Sequence, residues 1–413
     1  MIESDGGLRH LAFFEELGKM DETDASWRSV SAGLVTMRLV DNWIADGATL
    51  SRFDSWSVSA VREAIAGVPE TTPLRRMLGN IVDMVVSSPV RDFHALCPRL
   101  MAYGQTLQYD AKWSLAADVY QTIVTQCNPV DEADIVVNSF IQLGFCLRTL
   151  GDFDAATAAY SQASQLALAT GDLIGVLRGR LGDAKIAIAR GNMPYAESIV
   201  EEAIVRAEEH GLKDLTARAL DARAHIAGLR GQHDLAIRYS YDALRLSASP
   251  RDRDRTLSNI ATGFRYLGLV DVARDAYLVL ATTAQEQYVR WMAELNLMEL
   301  AADEGIELHF DKYRRDLETA DLTPLLQVTY LLHVGRGYHA LGKSELGIPY
   351  LERAVQLASE QALNQLMFEA EAALSNAMRR QRHTNPTQDR SSIRTIQPVI
   401  DAIHEMKVLA GIV

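Results

Sequence analysis

A glycine recurs along most of this chain at an almost constant interval, and this spacing restricts the fold more than any other feature. The gaps are 40, 40, 37, 37 and 37 residues between Gly151, Gly191, Gly231, Gly268, Gly305 and Gly342. A small or apolar residue follows five positions after each glycine. A period of this size is typical of stacked supersecondary units that pack on their neighbours, rather than of one globular core.

The segment between residues 143 and 167 has the pattern of a helical hairpin. Leu143, Gly144 and Leu147 share one face of a first helix. Gly151 ends that helix, because glycine readily adopts the left-handed conformation that closes a helix C-terminus. The same spacing continues on a second helix with Ala156, Tyr160 and Ala163. Neither helix has an apolar face wide enough to be stable alone, so we expect the hairpins to bury themselves against one another.

These residues resemble the tetratricopeptide repeat (TPR) family. The family pattern places leucine and glycine side by side in helix A, and alanine, an aromatic residue and alanine in helix B; the matching residues are Leu143, Gly144, Leu147, Ala156, Tyr160 and Ala163. Similar patterns extend over residues 96–364 as about seven units, of which 287–320 departs furthest. The period exceeds the family's usual length of about 34 residues, and it resembles a long-repeat subtype of bacterial regulatory proteins.

The resemblance implies an all-α fold, an α-solenoid in which TPR-like hairpins form a right-handed superhelix. Before the repeats we expect a loosely ordered tail at residues 1–25, whose apolar run LAFFEEL can dock, and an N-terminal helical cap region at 26–95. After them we expect a capping helix at 365–380, a polar linker at 381–392 and an amphipathic helix at 393–413. The apolar face of the capping helix is predicted to contain Leu366, Phe368, Ala372, Ala373 and Met378.

Composition, charge and motifs argue against several classes of protein. No stretch of 18 uncharged apolar residues occurs, so no membrane span is predicted. The formal net charge of −13 argues against direct binding of nucleic acid. Three cysteines without CxxC spacing predict reduced, buried thiols in a cytoplasmic protein. Because HExxH, GxSxG and GxxxxGK[ST] motifs are also missing, we predict no catalysis, no cofactor and no metal site.

The resemblance also implies a groove for a partner, since helix A residues at defined positions face the concave side of TPR proteins. In this chain those positions are Asn138, Arg148, Arg178, Lys185, Arg218, His225, Arg255, Arg265 and Arg336. Arg178, Arg218 and Arg255 occupy the same position in three consecutive units. Two interpretations are open: the arginines bind an acidic segment of a partner, or they pair with nearby acids, such as Asp221 beside Arg218.

The sequence therefore predicts a non-catalytic scaffold that binds a peptide or helical segment of another protein. The alternative is a bacterial transcription regulator or signal sensor whose repeats bind a peptide or a small-molecule effector. Residues 26–95 contain seven basic and seven acidic residues, so a DNA-reading helix is not expected there. The final amphipathic helix has three possible roles, which are to occupy the groove of its own chain, to form a homo-oligomer, or to dock a partner.

Overall fold

Helices account for nearly all of the regular structure. The structure is a computed structural model that describes residues 9–23, 25–45, 55–87, 92–320, 322, 324–360, 363–379 and 393–412. Twenty helices and no strand occur in these residues, in the order α1 (Leu11–Leu17), α2 (Ala25–Ala45), α3 (Ser55–Ala66), α4 (Pro73–Ser87), α5 (Phe93–Tyr109), α6 (Trp113–Gln126), α7 (Ala133–Thr149), α8 (Phe153–Thr170), α9 (Leu173–Ala189), α10 (Met193–Glu209), α11 (Lys213–Leu229), α12 (His233–Leu246), α13 (Pro250–Tyr266), α14 (Val270–Thr283), α15 (Gln287–Asp303), α16 (Glu307–Glu318), α17 (Pro324–Ala340), α18 (Ser344–Glu360), α19 (Asn364–Arg379) and α20 (Ile393–Leu409). The predicted all-α fold is confirmed.

The chain forms two compact units, residues 1–199 and 200–413. We call the first helix of each hairpin helix A and the second helix B, so that α5, α7, α9, α11, α13, α15 and α17 are A helices. Within each unit a helix A packs on its own helix B and also on the next helix A, as α7 does with α8 and α9. This pairwise stacking is the arrangement of a helical-repeat solenoid.

Glycines allow the helices of one hairpin to approach closely. A Cβ atom on Gly144 of α7 would lie 2.9 Å from Cε1 of Tyr160 of α8. Gly182 of α9 lies against the same ring, so Tyr160 is held between two glycines and is almost completely buried. Gly104 and Tyr120 repeat this contact in the preceding hairpin. The signature residues of the sequence pattern therefore form the interior of each hairpin.

The turn glycines end helix A in the left-handed conformation, as predicted. All six of the recurring glycines have φ between 73° and 87°. Gly231 follows Arg230, the C-cap residue of α11. The N–H of Gln232 donates to the carbonyl of Ala227 at 3.0 Å, and the N–H of Gly231 donates to the carbonyl of Gly228 at 2.9 Å. This pair of bonds is a Schellman motif, which satisfies carbonyls at the helix end. Two further glycines with positive φ, Gly171 and Gly211, follow B helices and were not predicted.

The change of period from 40 to 37 residues originates in helix B. The A helices α9, α11, α13, α15 and α17 all contain 17 residues. Between Gly151 and Gly342 the B helices shorten, from 18 and 17 residues in α8 and α10 to 14 in α12 and α14 and 12 in α16. The longer period of the early repeats thus reflects longer B helices.

The unit that departs furthest from the pattern still forms a hairpin, α15–α16. At the signature position where alanine is usual it has Phe310, which is fully buried. The ring of Phe310 lies against Gly337 and meets Tyr338 edge-on, with 5.1 Å between ring centroids. A glycine on the neighbouring helix A therefore provides the space that the larger side chain needs.

Within residues 1–25, where a loosely ordered tail with a docking LAFFEEL run was predicted, this run forms the docked helix α1. Phe13 is fully buried, and α1 packs on α2 and α6. His10, just before α1, pairs with Asp41 of α2 at 3.1 Å and with Asp118 of α6. Burial opposes the charged imidazole, but the two carboxylates raise the pKa of His10 to about 9. The predicted cap region contains α2, α3 and α4, while residues 1–8 lie outside the described residues.

The capping helix is present as α19, but its predicted apolar face is partly wrong. Phe368 is 63% exposed and Met378 is also exposed. The buried residues of α19 are Ala370 and Ala377, with Leu366, Ala373 and Leu374 packed beside them in the same cluster. The reason is helical register, because these five positions follow spacings of three and four residues, whereas 368 and 378 fall outside that stripe.

The C-terminal helix α20 packs on α12 and α14, the shortened B helices of its own chain. Four of its apolar residues are buried in the core of this unit, namely Ile396, Val399, Ile400 and Ile403. Asp275 of α14 pairs with Lys407 at 3.1 Å and with His404 at 3.3 Å. Leu409, near the end of α20, is 79% exposed. The predicted linker at 381–392 lies outside the described residues.

Gly231→Ala is expected to destabilise the protein by about 1 kcal/mol, because a Cβ is unfavourable at positive φ. Its matched control is Gly228→Ala, three residues earlier, where the added Cβ would meet only Ala236 at 3.9 Å. Gly228 lies within α11, so alanine there is expected to be neutral or to stabilise by up to about 1 kcal/mol. Urea unfolding of both variants tests the turn, and equal effects would contradict the assigned role of Gly231.

The ion pairs of His10 predict a pH-dependent stability. Because the pKa of His10 is raised from 6.5 to about 9 on folding, its contribution is complete below pH 6.5 and is lost as the pH rises through about 9. The thermal unfolding midpoint of the unmodified protein should therefore fall more steeply across this pH range than the midpoint of His10→Gln. The control is His309→Gln at an exposed position of α16, which should keep the original slope. Equal slopes for all three proteins would exclude the ion pairs as a source of stability.

Ile403→Ala is expected to cost about 2–5 kcal/mol, because it leaves a cavity between α20 and its B-helix neighbours. Leu409→Ala on the same helix should cost less than about 0.5 kcal/mol, since that side chain is exposed. The unfolding midpoint of each variant should not depend on protein concentration, because α20 packs within its own chain. A midpoint that rises with concentration would instead indicate that α20 pairs between copies.

Candidate functional site

The nine predicted partner-binding positions all lie on A helices. We define the A-helix face of unit 1 by Asn138 and Arg148 on α7 and by Arg178 and Lys185 on α9. The A-helix face of unit 2 is defined separately by the remaining residues on α11, α13 and α17, which are Arg218, His225, Arg255, Arg265 and Arg336. All nine side chains are partly or fully accessible to solvent.

In unit 1, a hydrogen bond joins two of the predicted residues on neighbouring A helices. Nη1 of Arg178 on α9 donates to Oδ1 of Asn138 on α7 at 3.0 Å. Asn138 is a neutral acceptor, so this bond orients the guanidinium without neutralising its charge. Lys185 lies two turns further along α9 and is half-buried.

Arg148, in the last turn of α7, occupies an unusual environment. Its guanidinium lies over the ring of Phe145 at 5.3 Å from the centroid, and Phe145 meets Trp113 edge-on at 5.5 Å. Nε of Arg148 is buried and has no hydrogen-bond partner among the described residues, and no ion pair of Arg148 occurs within them. The Phe145 ring holds this cation by a cation–π contact, so the guanidinium retains its capacity to bind an anion.

In unit 2, the predicted arginines are joined to acids on the next helix A. Arg218 of α11 pairs with Asp252 of α13 at 2.8 Å, and the Arg218 side chain remains 41% exposed. Asp221, the acid expected beside Arg218, instead accepts hydrogen bonds from Asn259 at 2.8 Å and from Thr256 at 3.4 Å. Both contacts link α11 to α13, so polar side chains connect successive repeats.

Arg255 is held more firmly than Arg218. Its Nε and Nη2 donate to the two carboxylate oxygens of Glu286 at 2.8 and 3.1 Å. Glu286 is the N-cap residue of α15 and is fully buried, and Arg251 also pairs with it. A buried carboxylate is costly unless it is paired. Arg255 and Arg251 therefore stabilise the junction between α13 and α15.

Arg265 belongs to a buried polar cluster that spans three A helices. It pairs with Glu299 of α15 at 2.7 Å, and Glu299 lies 3.4 Å from His333 of α17. Burial opposes the Glu299 carboxylate, but His333 and Arg265 lower its pKa to about 2. Burial also lowers the pKa of His333. Arg265 is thus the cation on which Glu299 depends at neutral pH.

The last predicted cation, Arg336 of α17, pairs more loosely with Glu369 of α19 at 3.7 Å. His225 of α11 is exposed. The sequence interpretation missed the acids of this face, namely Asp252, Glu286, Glu299 and Glu369. One signal was available, because Glu299 occupies the same helix A position as Lys185 and Arg336. The charge of the side chain at that position therefore changes sign along the repeats.

The described residues offer no second kind of site. No group of three or more His, Cys, Asp or Glu side chains within them is arranged to hold a metal ion. None of the helices in the described ranges combines the length and apolar character that a membrane crossing requires. The three cysteines, Cys97, Cys127 and Cys146, are buried and free, as predicted for reduced thiols.

Two solved structures are distantly similar to this chain. One is described as the crystal structure of BtubC (BKLC) from P. vanneervenii, with 16% identity over 71% of this chain and 96% of that chain and a TM-score of 0.31. Another is a circular tandem repeat protein with novel repeat topology and enhanced subunit contact surfaces, with 14% identity, coverage of 95% and 90%, and a TM-score of 0.18. TM-scores this low support no conclusion, so the fold assignment depends on the helix packing described above.

Comparison with protein families identifies one hairpin. No curated protein matches the chain. The model described as tetratricopeptide repeat matches residues 137–170, which include most of α7 and all of α8. TPR repeats generally mediate protein–protein interactions. Together with the Gly144–Tyr160 contact, this match identifies residues 137–170 as a tetratricopeptide repeat within a chain of repeated helical hairpins.

Proposed function

We propose that this protein is a non-catalytic scaffold that binds an acidic segment of a partner protein on its A-helix faces. The observation that carries the proposal is Arg148, a cation held by the Phe145 ring and without an acidic partner among the described residues. A guanidinium in this setting binds a carboxylate strongly, because bidentate hydrogen bonds add to the charge attraction in a partly desolvated site.

The remaining residues of the unit 1 face suit the same ligand. Asn138 and Gln142 lie one turn apart on α7, with Phe145 and Arg148 following along the helix. Phe145 offers apolar area to the ligand, and the amides can bind the backbone of an extended peptide. Neighbouring helices pack about 8–10 Å apart, and an extended chain rises about 3.3 Å per residue. Arg148 also lies ten residues further along its helix than Arg178 does, which adds about 15 Å at a rise of about 1.5 Å per residue. Carboxylates about five residues apart can therefore reach Arg148 and Arg178.

On the unit 2 face the arginines differ in their availability. Arg218 pairs with one carboxylate, that of Asp252, and its side chain is 41% exposed, so several of its five N–H groups can donate to a ligand carboxylate. Arg255 is held by two hydrogen bonds to buried Glu286, and Arg265 is needed by Glu299. We therefore assign ligand binding in unit 2 to Arg218 and a structural role to Arg255 and Arg265. No observation favours the regulator or sensor alternative.

Charge reversal at Arg148 or Arg218 is expected to weaken binding of an acidic peptide by about tenfold or more, because each removes an attraction and adds a repulsion. The probe is a fluorescein-labelled peptide with glutamates every three to five residues, and its glutamine analogue is the control ligand. Fluorescence anisotropy at low and high salt measures affinity for Arg148→Glu, Arg218→Glu and the unmodified protein. The salt dependence should also become weaker in both variants.

Arg238→Glu is the matched control variant. Arg238 is an exposed arginine on helix B α12, so its reversal changes the net charge equally without altering either A-helix face. It should bind like the unmodified protein, and thermal unfolding should show that all three variants are folded. If Arg238→Glu weakens binding as much as the others, the attraction is non-specific. If none of the variants changes affinity, the A-helix faces are not the binding site.

A further inference from the structure

Two cysteines of the first repeat hairpin lie in direct contact. Cys97 is in the first turns of α5, and Cys127 is the C-cap residue of α6. Their Sγ atoms are 3.2 Å apart although the residues are 30 positions apart in sequence, and both are buried. A disulfide requires about 2.05 Å between the sulfurs. An approach of about 1 Å would thus bring the two sulfurs to bonding distance.

Packing of the hairpin holds this pair in place before any bond forms. Joining two cysteines in an unfolded chain costs the entropy of closing the loop between them. Here that cost is already met by folding, because α5 and α6 pack on each other. A bond between prepositioned sulfurs is therefore favoured at equilibrium over mixed disulfides with small thiols.

Ionisable groups lie next to Cys127. The Glu132 carboxylate hydrogen-bonds the Cys127 thiol, and its Oε1 lies 3.3 Å from Nδ1 of His94, which is three residues before Cys97. The carboxylate can accept the thiol proton. The hydrogen bond to Cys97 and burial both raise the pKa of the Cys127 thiol. Oxidation of the folded protein is therefore slow and depends on opening of the exposed turn that follows Cys127.

We propose that Cys97 and Cys127 form a reversible dithiol–disulfide site that responds to a disulfide oxidant such as oxidised glutathione. The Cys127 thiolate attacks one glutathione sulfur and releases a first glutathione, which takes the Cys127 proton. The Cys97 thiolate then attacks Sγ of Cys127 and releases the second glutathione, which takes the Cys97 proton. Two electrons pass from the two thiols to one oxidised glutathione, and the bond ties the start of α5 to the end of α6.

The third cysteine provides an internal control. Cys146 of α7 is equally buried, and the amide of Gln108 donates to its sulfur at 3.2 Å. Burial alone therefore does not distinguish Cys146 from the pair, whereas contact with a second thiol does. The proposed site is independent of the A-helix faces, so neither proposal depends on the other.

The test is to equilibrate the full-length protein in glutathione buffers of increasing oxidised fraction. Samples are quenched with acid, unfolded and alkylated, and the peptides are identified by mass spectrometry. Alkylation of Cys97 and Cys127 should fall together by about tenfold or more in the oxidising buffers, with a linked peptide that has lost two hydrogens. Cys146 should remain alkylated throughout. In Cys127→Ser, both Cys97 and Cys146 should stay alkylated.

A second experiment controls for slow access of oxidised glutathione to the buried thiols. The reduced, denatured protein is refolded in the same buffers, so that the thiols react before they are buried. The Cys97–Cys127 pair should then exceed both pairings with Cys146, and the oxidised protein should unfold at a higher temperature than the reduced one. The unfolding shift should vanish in Cys127→Ser. Equal amounts of the three pairings, or alkylation of Cys97 and Cys127 at every buffer ratio, would overturn the proposal.

Discussion

Close approach of two helices within each hairpin is the constraint on which the rest of the structure depends. Tyr160 fills the space between Gly144 and Gly182, and a side chain on either glycine would collide with its ring. A glycine with positive φ then turns the chain from helix A to helix B with no steric cost. These two local requirements fix the hairpin geometry. Because each helix A also packs on the next helix A of its own unit, they fix the stacking of successive repeats within each unit.

Features set by such local rules could be predicted from the sequence, whereas those set by distant partners could not. The turn glycines and the A-helix positions follow from spacing alone. The docking of α1 depends on His10 meeting Asp118, which is 108 residues away, and no short-range pattern contains that information. The same holds for Arg255, whose carboxylate partner lies 31 residues ahead on the next helix A. The sequence predicted the cations of the candidate A-helix faces but not the acids that form ion pairs with them.

The change in repeat length has a structural consequence that the period alone does not show. Helix B shortens to 14 residues in α12 and α14, and these are the helices on which α20 packs. The apolar residues of α20 then enter the core of that unit, with Asp275 pairing to its polar side. The interval between glycines therefore changes in the same part of the chain that receives the C-terminal helix.

Some cations of the candidate binding face also join successive A helices through ion pairs. Arg218 and Asp252 join α11 to α13, so a ligand carboxylate at Arg218 must either share the guanidinium or displace Asp252. Sharing is possible because the planar guanidinium offers five donors, and displacement would leave a half-buried carboxylate without its partner. Arg148 imposes no such competition, because an aromatic ring and not a carboxylate supports it. The energetic cost of ligand binding is therefore lowest at Arg148, which makes α7 the strongest candidate for the primary contact.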